Sequence, residues 1–426
     1  MSTGATAQTQ AAPPPAAELD LFFQAVAARD PEEANAIIHR LRAEDPVHWI
    51  PGIDTWLVTR HDDVKRLFHD PENVTNDRRV YEKHVPRGLP GSLVRWSEDH
   101  GLFQLPPEEH ARVRRLVSAA FTPRAVRRMD AQIRDVIEQF AAPLRGRHGA
   151  VLDLMREFTN PIPNAVISRI TGVPPAGRDE VRFRELAQAT IRGFFTFASD
   201  AVKQASDAAF EELGGWVREM ARERRAAPRE DLISDLIRAQ DRDDRLSDDE
   251  IIVLITGLIG AGSETTALGG LVAITSLLQH PEAAAQLRAD RARIPNAIHE
   301  IMRWGFGGPG GLPRYALRDF ELRGKPIRRG QMLMLSFSGA NRDPAVWRDP
   351  DRFDIERDCR ELTVFGNGPH YCLGANLARG EMGAMLDAVL DILPEGSRIR
   401  EELFEFEELG FFRRPLNLPV EVGGAA

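Results

Sequence analysis

The stretch 365-FGNGPHYCLG-374 sets Cys372, one of only two cysteines in 426 residues, among Gly366, Gly368, Pro369 and Gly374. Apolar residues then recur at helical spacing, Leu373, Leu377, Met385, Leu386, Val389 and Leu390, and predict a helix over 375–393. The thiol therefore stands at a helix N-terminus. Free amides and the positive end of the helix dipole stabilise a thiolate there, and the thiolate is the metal-binding form of cysteine. The second cysteine, Cys359, has no such setting and reads as a small buried apolar residue.

Composition bounds what this thiolate can hold. Two cysteines, with no CxxC and no HExxH, supply neither a disulfide framework nor a zinc site, and they suit a reducing compartment, the cytoplasm. One thiolate can still serve as the axial ligand of a haem, whose porphyrin fills four other positions. Phe365 then covers the sulfur, Gly368 and Gly374 let the backbone come close, and the amides after Cys372 tune it. Apolar residues make up 42% of the chain and charged residues 28%, which predicts a globular protein with a large core. No linker interrupts the sequence after residue 18, so residues 19–426 read as one large domain behind a flexible tail, residues 1–18. That tail lacks the pattern of a secretory signal. The longest apolar run, 251-IIVLITGLIGAG-262, falls short of the ~20 residues that span a bilayer, so no membrane anchor is expected. A net charge of -9 argues against nucleic acid as a partner.

Helical periodicity dominates, with segments near 31–44, 109–120, 123–145, 178–192, 200–225, 247–279, 293–304 and 375–393. Strand patterns cluster in a hairpin over 46–60 around Pro51-Gly52 and in 320–337 around Gly324, and the C-terminal NLPVEV reads as an edge strand. The expected fold class is mainly α with small β-sheets.

One of these helices carries chemistry. It opens on a capping box, Ser247 with Glu250, and stops before Pro281, yet it contains Gly257, Gly260, Gly262, Gly269 and Gly270. Each glycine costs about 1 kcal/mol against alanine inside a helix. Close helix packing accounts for Gly269 and Gly270. A flat ligand against a bare helix face accounts for the others, and Glu264 with Thr265 in 261-AGSETT-266 reads as a proton-relay pair beside it.

With these residues in hand, F-x-x-G-x-x-x-C-x-G, filled by Phe365, Gly368, Cys372 and Gly374, resembles the haem-thiolate loop of the bacterial cytochrome P450 family. AGSETT resembles its oxygen-activation segment, with Glu264 and Thr265 as acid and alcohol and Ala261 and Gly262 against the cofactor. Glu300 and Arg303 of EIMR resemble its E-x-x-R motif, for which Arg352 is the expected third partner. The resemblance runs from about residue 18 to the C-terminus and implies the cytochrome P450 fold in a single large domain. It also implies haem b, with Cys372 on the iron and His110, Arg114, Arg314 and His370 on the propionates, and contacts from Phe365, Gly366 and Gly374.

The segment 305-GFGGPGG-311 spells G-x-G-x-x-G, but a helix precedes it and strand-like residues follow, the reverse of a dinucleotide site. In the resembling family this stretch faces substrate. Its bareness here predicts a roomy wall at Gly307 and Gly308, with Phe306 and Leu312 as apolar contacts. Phe195, Leu258 and Phe411 are further expected pocket residues.

The implied activity is monooxygenation. One atom of dioxygen enters an apolar small molecule by hydroxylation or epoxidation, the substrate being of steroid, terpenoid, fatty acid or polyketide class. No flavin domain or iron-sulfur cysteines are present, so electrons come from a ferredoxin with its ferredoxin reductase, docking near Arg112 and Arg115 of a monomeric enzyme. Oxidative coupling, a peroxide-driven reaction and a non-enzymatic haem sensor are the alternatives. Glu264 and Thr265 weigh against the last two.

Overall fold

The computed structural model describes residues 20–28, 30–174, 179–193, 198–240, 246–409 and 412–424. The expected tail, residues 1–18, and the expected pocket residues Phe195 and Phe411 lie outside them. The first part of the chain runs through α1 (Leu21–Ala27), α2 (Pro31–Glu44), the hairpin of β1 (Val47–Ile50) and β2 (Thr55–Val58), α3 (His61–Phe68), β3 (Val74–Thr75) and α4 (Leu93–His100). Next come α5 (Pro107–Ser118), α6 (Pro123–Ala141), β4 (Val151–Asp153), α7 (Pro161–Thr171), α8 (Glu180–Arg192), α9 (Asp200–Ala226) and α10 (Leu232–Gln240). Caps explain many starts. Asp30, Thr122, Asp179 and Ser199 each accept a hydrogen bond from a first-turn amide, and proline follows at the first turn of α2 and α6.

The central helix is α11 (Asp248–Gln279), 32 residues long and started by the Ser247–Glu250 capping box. After it come α12 (Pro281–Ala289), α13 (Ile294–Gly305), β5 (Gly311–Ala316), β6 (Phe320–Leu322), β7 (Lys325–Ile327), β8 (Met332–Ser336) and α14 (Phe337–Asn341). The chain ends with α15 (Ala375–Ile392), β9 (Arg398–Ile399), β10 (Phe406–Leu409), β11 (Phe412–Pro415) and β12 (Pro419–Glu421). By length and composition α11 could cross a membrane, but 67% of its apolar window is buried, and it packs against α7, α8, α9, α13 and α15. It is a core helix.

Mainly helical architecture with small sheets is what the periodicity predicts. The five-stranded sheet has the order β1-β2-β8-β5-β3, with β2 and β8 parallel and the other pairs antiparallel. One strand differs from expectation. NLPVEV supplies β12, which lies in the middle of a three-stranded sheet between β4 and β9 rather than at an edge. The sequence-distant partner β4 is short and lacks the alternation that would have announced it.

The glycines of α11 sort by neighbour. A Cβ at Gly269 would collide with Met382 of α15, and one at Gly270 would stand 3.1 Å from both Met385 and Thr159, so these two permit close helix packing. Gly260 and Gly262 also meet protein, Thr190 of α8 at 3.1 Å and Ile167 of α7 at 3.7 Å. The expectation that a bare glycine face receives a flat ligand is therefore corrected at Gly260, which is buried against Thr190, while Gly262 stays half-buried. Only Gly257 has nothing within 4 Å. The half-open stripe of α11 is instead formed by Leu258, Ala261 and Thr265, spaced one turn apart.

Glu300 of α13 organises the segment that leads to Cys372. Its carboxylate accepts from Arg303 Nε at 2.6 Å and Nη2 at 2.8 Å, with both side chains fully buried. It also accepts from the Asp354 amide at 2.9 Å and lies 3.2 Å from Arg357 Nε. Arg303 donates further to the carbonyls of Asn341 and Pro350, each at 2.9 Å. Burial and the nearby Glu300 charge push the Cys359 thiol up to about 12, so this cysteine stays neutral.

The third member of the cluster is thus Arg357, not Arg352. The Arg352 guanidinium turns to Asp354 and is 68% exposed, and only its backbone carbonyl joins the cluster, accepting from Arg357 Nη2 at 2.8 Å. Removing one partner of a buried ion pair costs about 3–5 kcal/mol, whereas a surface change stays within about 0.5 kcal/mol. Arg357→Met should therefore lower the unfolding free energy of the holoenzyme by several kcal/mol, and Arg352→Ala should leave it nearly unchanged, as read by denaturant titration.

Candidate active site

The cysteine turn is built by glycine. Gly366 and Gly368 both have φ of +70°, and a Cβ at Gly368 would stand 2.7 Å from the carbonyl oxygen of Phe68 at the end of α3. Asn367 accepts from its neighbour's amide at 2.8 Å and meets His69 at 2.7 Å, which pins the turn to α3. The Tyr371 amide donates to Gly368 and the Cys372 amide to the Phe365 carbonyl, at 3.0 and 2.8 Å. Cys372 itself is exposed, three residues before α15.

Its charge state reflects two opposed influences. The surrounding protein desolvates the sulfur and raises the thiol above its ordinary value, while the Gly374 amide and the charges of Arg114 and Arg379 favour the thiolate. Arg379 lies over the Phe365 ring at 5.0 Å and donates to the Tyr371 hydroxyl at 3.1 Å. Sequence reading missed Arg379; its place one turn into the helix after Cys372 was the available signal.

Beside the turn lies a buried concentration of positive charge and imidazole. The rings of His110, from α5, and His370 are 4.0 Å apart. Arg314, from β5, is 5% exposed and lies over Phe68 at 4.8 Å, its guanidinium donating to the Pro313 carbonyl at 2.8 Å. Arg114 donates to the Tyr371 carbonyl. Among the described residues, none of the four makes an ion pair with a carboxylate.

Burial pulls Arg314 down to about 10. Burial, with His110, Arg314 and Arg114 nearby, pushes His370 down to about 3. His110 is lowered by burial and by Arg114, and its buried Nε2 has no hydrogen-bond partner. Such a cluster is costly alone and is matched by an anionic group carrying two carboxylates. The propionates of haem are of that kind, so these residues fit the cofactor.

On α11, Thr265 is exposed and its hydroxyl donates to the Ala261 carbonyl at 2.6 Å, while Glu264 is 6% exposed. Gly262, expected at the cofactor, is half-buried, and its Cβ position stands 3.7 Å from Ile167. Gly374 has nothing within 4 Å of its Cβ position. Phe306 caps α13 and is half-buried, and Leu312 is 37% exposed and lies 3.8 Å from the Cβ position of Gly366.

The glycine-rich segment divides at its centre. Gly307 has φ of +103° and its Cβ position is 2.7 Å from the Phe337 ring, so it is a packing position and not open wall. Gly308 has φ of +54° and nothing within 4 Å.

The comparisons with known proteins match this geometry. The family described as Cytochrome P450 matches residues 13–392, and the chain belongs to that family. It is 35% identical to nocardicin C N-oxygenase of Nocardia uniformis subsp. tsuyamanensis, over 89% of this chain and 93% of the relative. It is also 35% identical to mycinamicin IV hydroxylase/epoxidase of Micromonospora griseorubida, over 87% and 90%. The structure of epothilone D-bound cytochrome P450epoK superposes with a TM-score of 0.84 at 30% identity, over 94% of this chain and 99% of that one. The protein is accordingly a haem-binding monooxygenase that acts on a small molecule with dioxygen and an external source of electrons.

Two measurements test these placements. Loss of a charge-assisted hydrogen bond costs about 1.5–3 kcal/mol, so Arg314→Gln should release haem to an apo-globin scavenger about tenfold to a hundredfold faster. Gly308→Asn, which tolerates positive φ, should change product distribution with haem content intact, whereas Gly307→Val should lower the yield of folded protein, read from soluble haem-loaded enzyme.

Proposed function

We propose that the protein hydroxylates or epoxidises an apolar, polyketide-sized substrate, with Cys372 as the thiolate that would hold the haem and Glu264 and Thr265 as the proton-handling pair. The observation that carries this reading is the exposed thiol of Cys372 beside an unneutralised cluster of Arg314, Arg114, His110 and His370. When bound, the haem supplies dioxygen activation and transfer of one oxygen atom. The chain supplies the rest.

Arg314, Arg114, His110 and His370 would hold the propionates of the bound haem. Gly374 N-H and Arg379 tune the sulfur from the helix side. Thr265, exposed on the open stripe of α11, holds a proton at Oγ1, and Glu264 one residue earlier replenishes it. Leu258, Ala261, Phe306 and Leu312 provide an apolar wall that excludes water and positions the carbon to be oxidised.

Substrate size is inferred from the open space at Gly308 and from relatives named for mycinamicin and epothilone, both 33–35% identical. A ferredoxin with its reductase is the proposed electron source. Arg112, expected to contribute to docking, pairs with Glu250 and remains partly exposed. Exposed Arg115, Arg124, Arg127 and Arg128 extend the basic surface, and the Asn376 side chain joins the corner between α5 and α6 to the start of α15 at 3.1 Å. A monomeric, cytoplasmic enzyme is the corresponding assembly and location, and residues 19–426 are its single domain.

The test is reconstitution with ferredoxin, ferredoxin reductase and NADPH against macrolactones, terpenes, steroids and fatty acids. Macrolactones should shift the haem spectrum and yield hydroxylated or epoxidised product. Thr265→Ala should lower product per NADPH by about a hundredfold or more, within the range of general acid-base contributions. Product formation by peroxide alone at equal rate, indifferent to Thr265, would instead favour the peroxide-driven alternative.

A further inference from the structure

The last turn of α8 carries a guanidinium that the protein itself uses little. Thr190 of this turn rests on α11, its Cγ2 3.1 Å from the Cβ position of Gly260, one residue before Ala261 of the half-open stripe. The turn therefore ends beside the space over Ala261 and Thr265. Gln188, Ile191 and Arg192 lie off the α11 contact and are half-buried, although two turns earlier the same face, Val181 and Glu185, is exposed. Across from them, β10 brings the Glu407 carboxylate to 3.5 Å from Arg192 Nη1.

A guanidinium has five N–H donors. Among the described residues Arg192 makes this one bond, which is long, and its buried Nε has no partner. A second arginine at the same turn shows the contrast. Arg87 spends its donors on the Gly193 carbonyl at 2.8 Å, Ser206 Oγ at 3.3 Å and the Asp207 carboxylate. Arg87 fastens one part of the chain to another, whereas Arg192, with 25% of its side chain exposed, leaves donors for a ligand.

We propose that Arg192 and Glu407 are a polar anchor for the substrate, taking a neutral carbonyl on the Arg192 N–H groups and a nearby hydroxyl on the Glu407 carboxylate. The inference rests on the monooxygenase reading and narrows its substrate class to an apolar body carrying a hydroxy ketone or hydroxy lactone. The charges decide this against a free acid. Glu407 already balances Arg192, so a fatty carboxylate gains little attraction and meets a like charge beside it. A carbonyl and a hydroxyl leave both partners bonded. In a pocket that is otherwise apolar, one donor and one acceptor placed together fix which end of the substrate points away from the cofactor. The carbon that is oxidised follows from that orientation.

Equilibrium dialysis of the haem-loaded protein tests the anchor. The probes are a macrolactone and a steroid, each bearing a β-hydroxy ketone, their counterparts from which both oxygens have been removed, and hexadecanoate. Arg192→Leu and Glu407→Gln should each weaken a hydroxy ketone about tenfold, in the range of a charge-assisted hydrogen bond, with the deoxygenated counterpart and the haem content unchanged. Arg192→Lys should restore part of the loss. A hydroxy ketone held equally by wild type and both variants overturns the anchor, as does wild type that binds neither hydroxy ketone. Hexadecanoate held more tightly than both and weakened by Arg192→Leu overturns it too. Should Arg192→Leu not fold, Arg192→Lys and Glu407→Gln carry the test. Macrolactone oxidised without dependence on either residue removes this inference and leaves the proposed function standing. Dependence seen with the steroid alone, and no macrolactone bound, leaves the anchor standing and removes the polyketide-sized substrate.

Discussion

The approach of the cysteine turn to the end of α3 is the constraint on which the site depends. Gly368 passes so close to the Phe68 carbonyl that no side chain fits there, and with Gly366 it adopts a backbone region that other residues reach at a cost. The turn then delivers Cys372 to the surface of the fold just before α15 begins. The same α3 residue, Phe68, carries Arg314 on its ring, so one short helix positions both the thiol loop and part of the cationic cluster. The Glu300–Arg303–Arg357 network braces the other side, tying α13 to the segment that enters the turn.

This arrangement stores unfavourable electrostatics in the protein alone. Four basic side chains stand close together without a carboxylate among them, and burial has driven His370 down to about 3 and Arg314 to about 10. Local consistency is broken in this way at functional sites, where a ligand completes the balance. The dianionic edge of a haem does so. The cofactor is thus part of the stability of this region as well as of its chemistry, because any ligand that binds only the native state stabilises it.

Much of this was legible in the sequence because glycine, proline and cysteine report local geometry directly. The 365–374 turn, the capping box of α11 and the hairpin of β1 and β2 all rest on contacts within a few residues. What sequence could not place depends on distant partners. Whether Arg352 or Arg357 reaches Glu300 is decided by how the coil after α14 folds back, and both are arginines at plausible spacing. The glycines of α11 look alike in sequence, yet Gly262 faces α7 and Gly269 faces α15, which only the helix packing reveals. β12 was read as an edge because its partners β4 and β9 are too short to declare themselves. Residues on loops, Gly307 against Gly308, differ only in the position of Phe337.

The central claim is that the Cys372 sulfur, as a thiolate, ligates the haem iron. The absorption spectrum of the reduced, carbon monoxide-bound holoenzyme tests it directly. The account predicts the strongly red-shifted Soret band of thiolate ligation in the wild type and its loss in Cys372→Ser. A wild-type band at the position of histidine-ligated or neutral-thiol haem, or a thiolate band that survives the serine substitution, would contradict it.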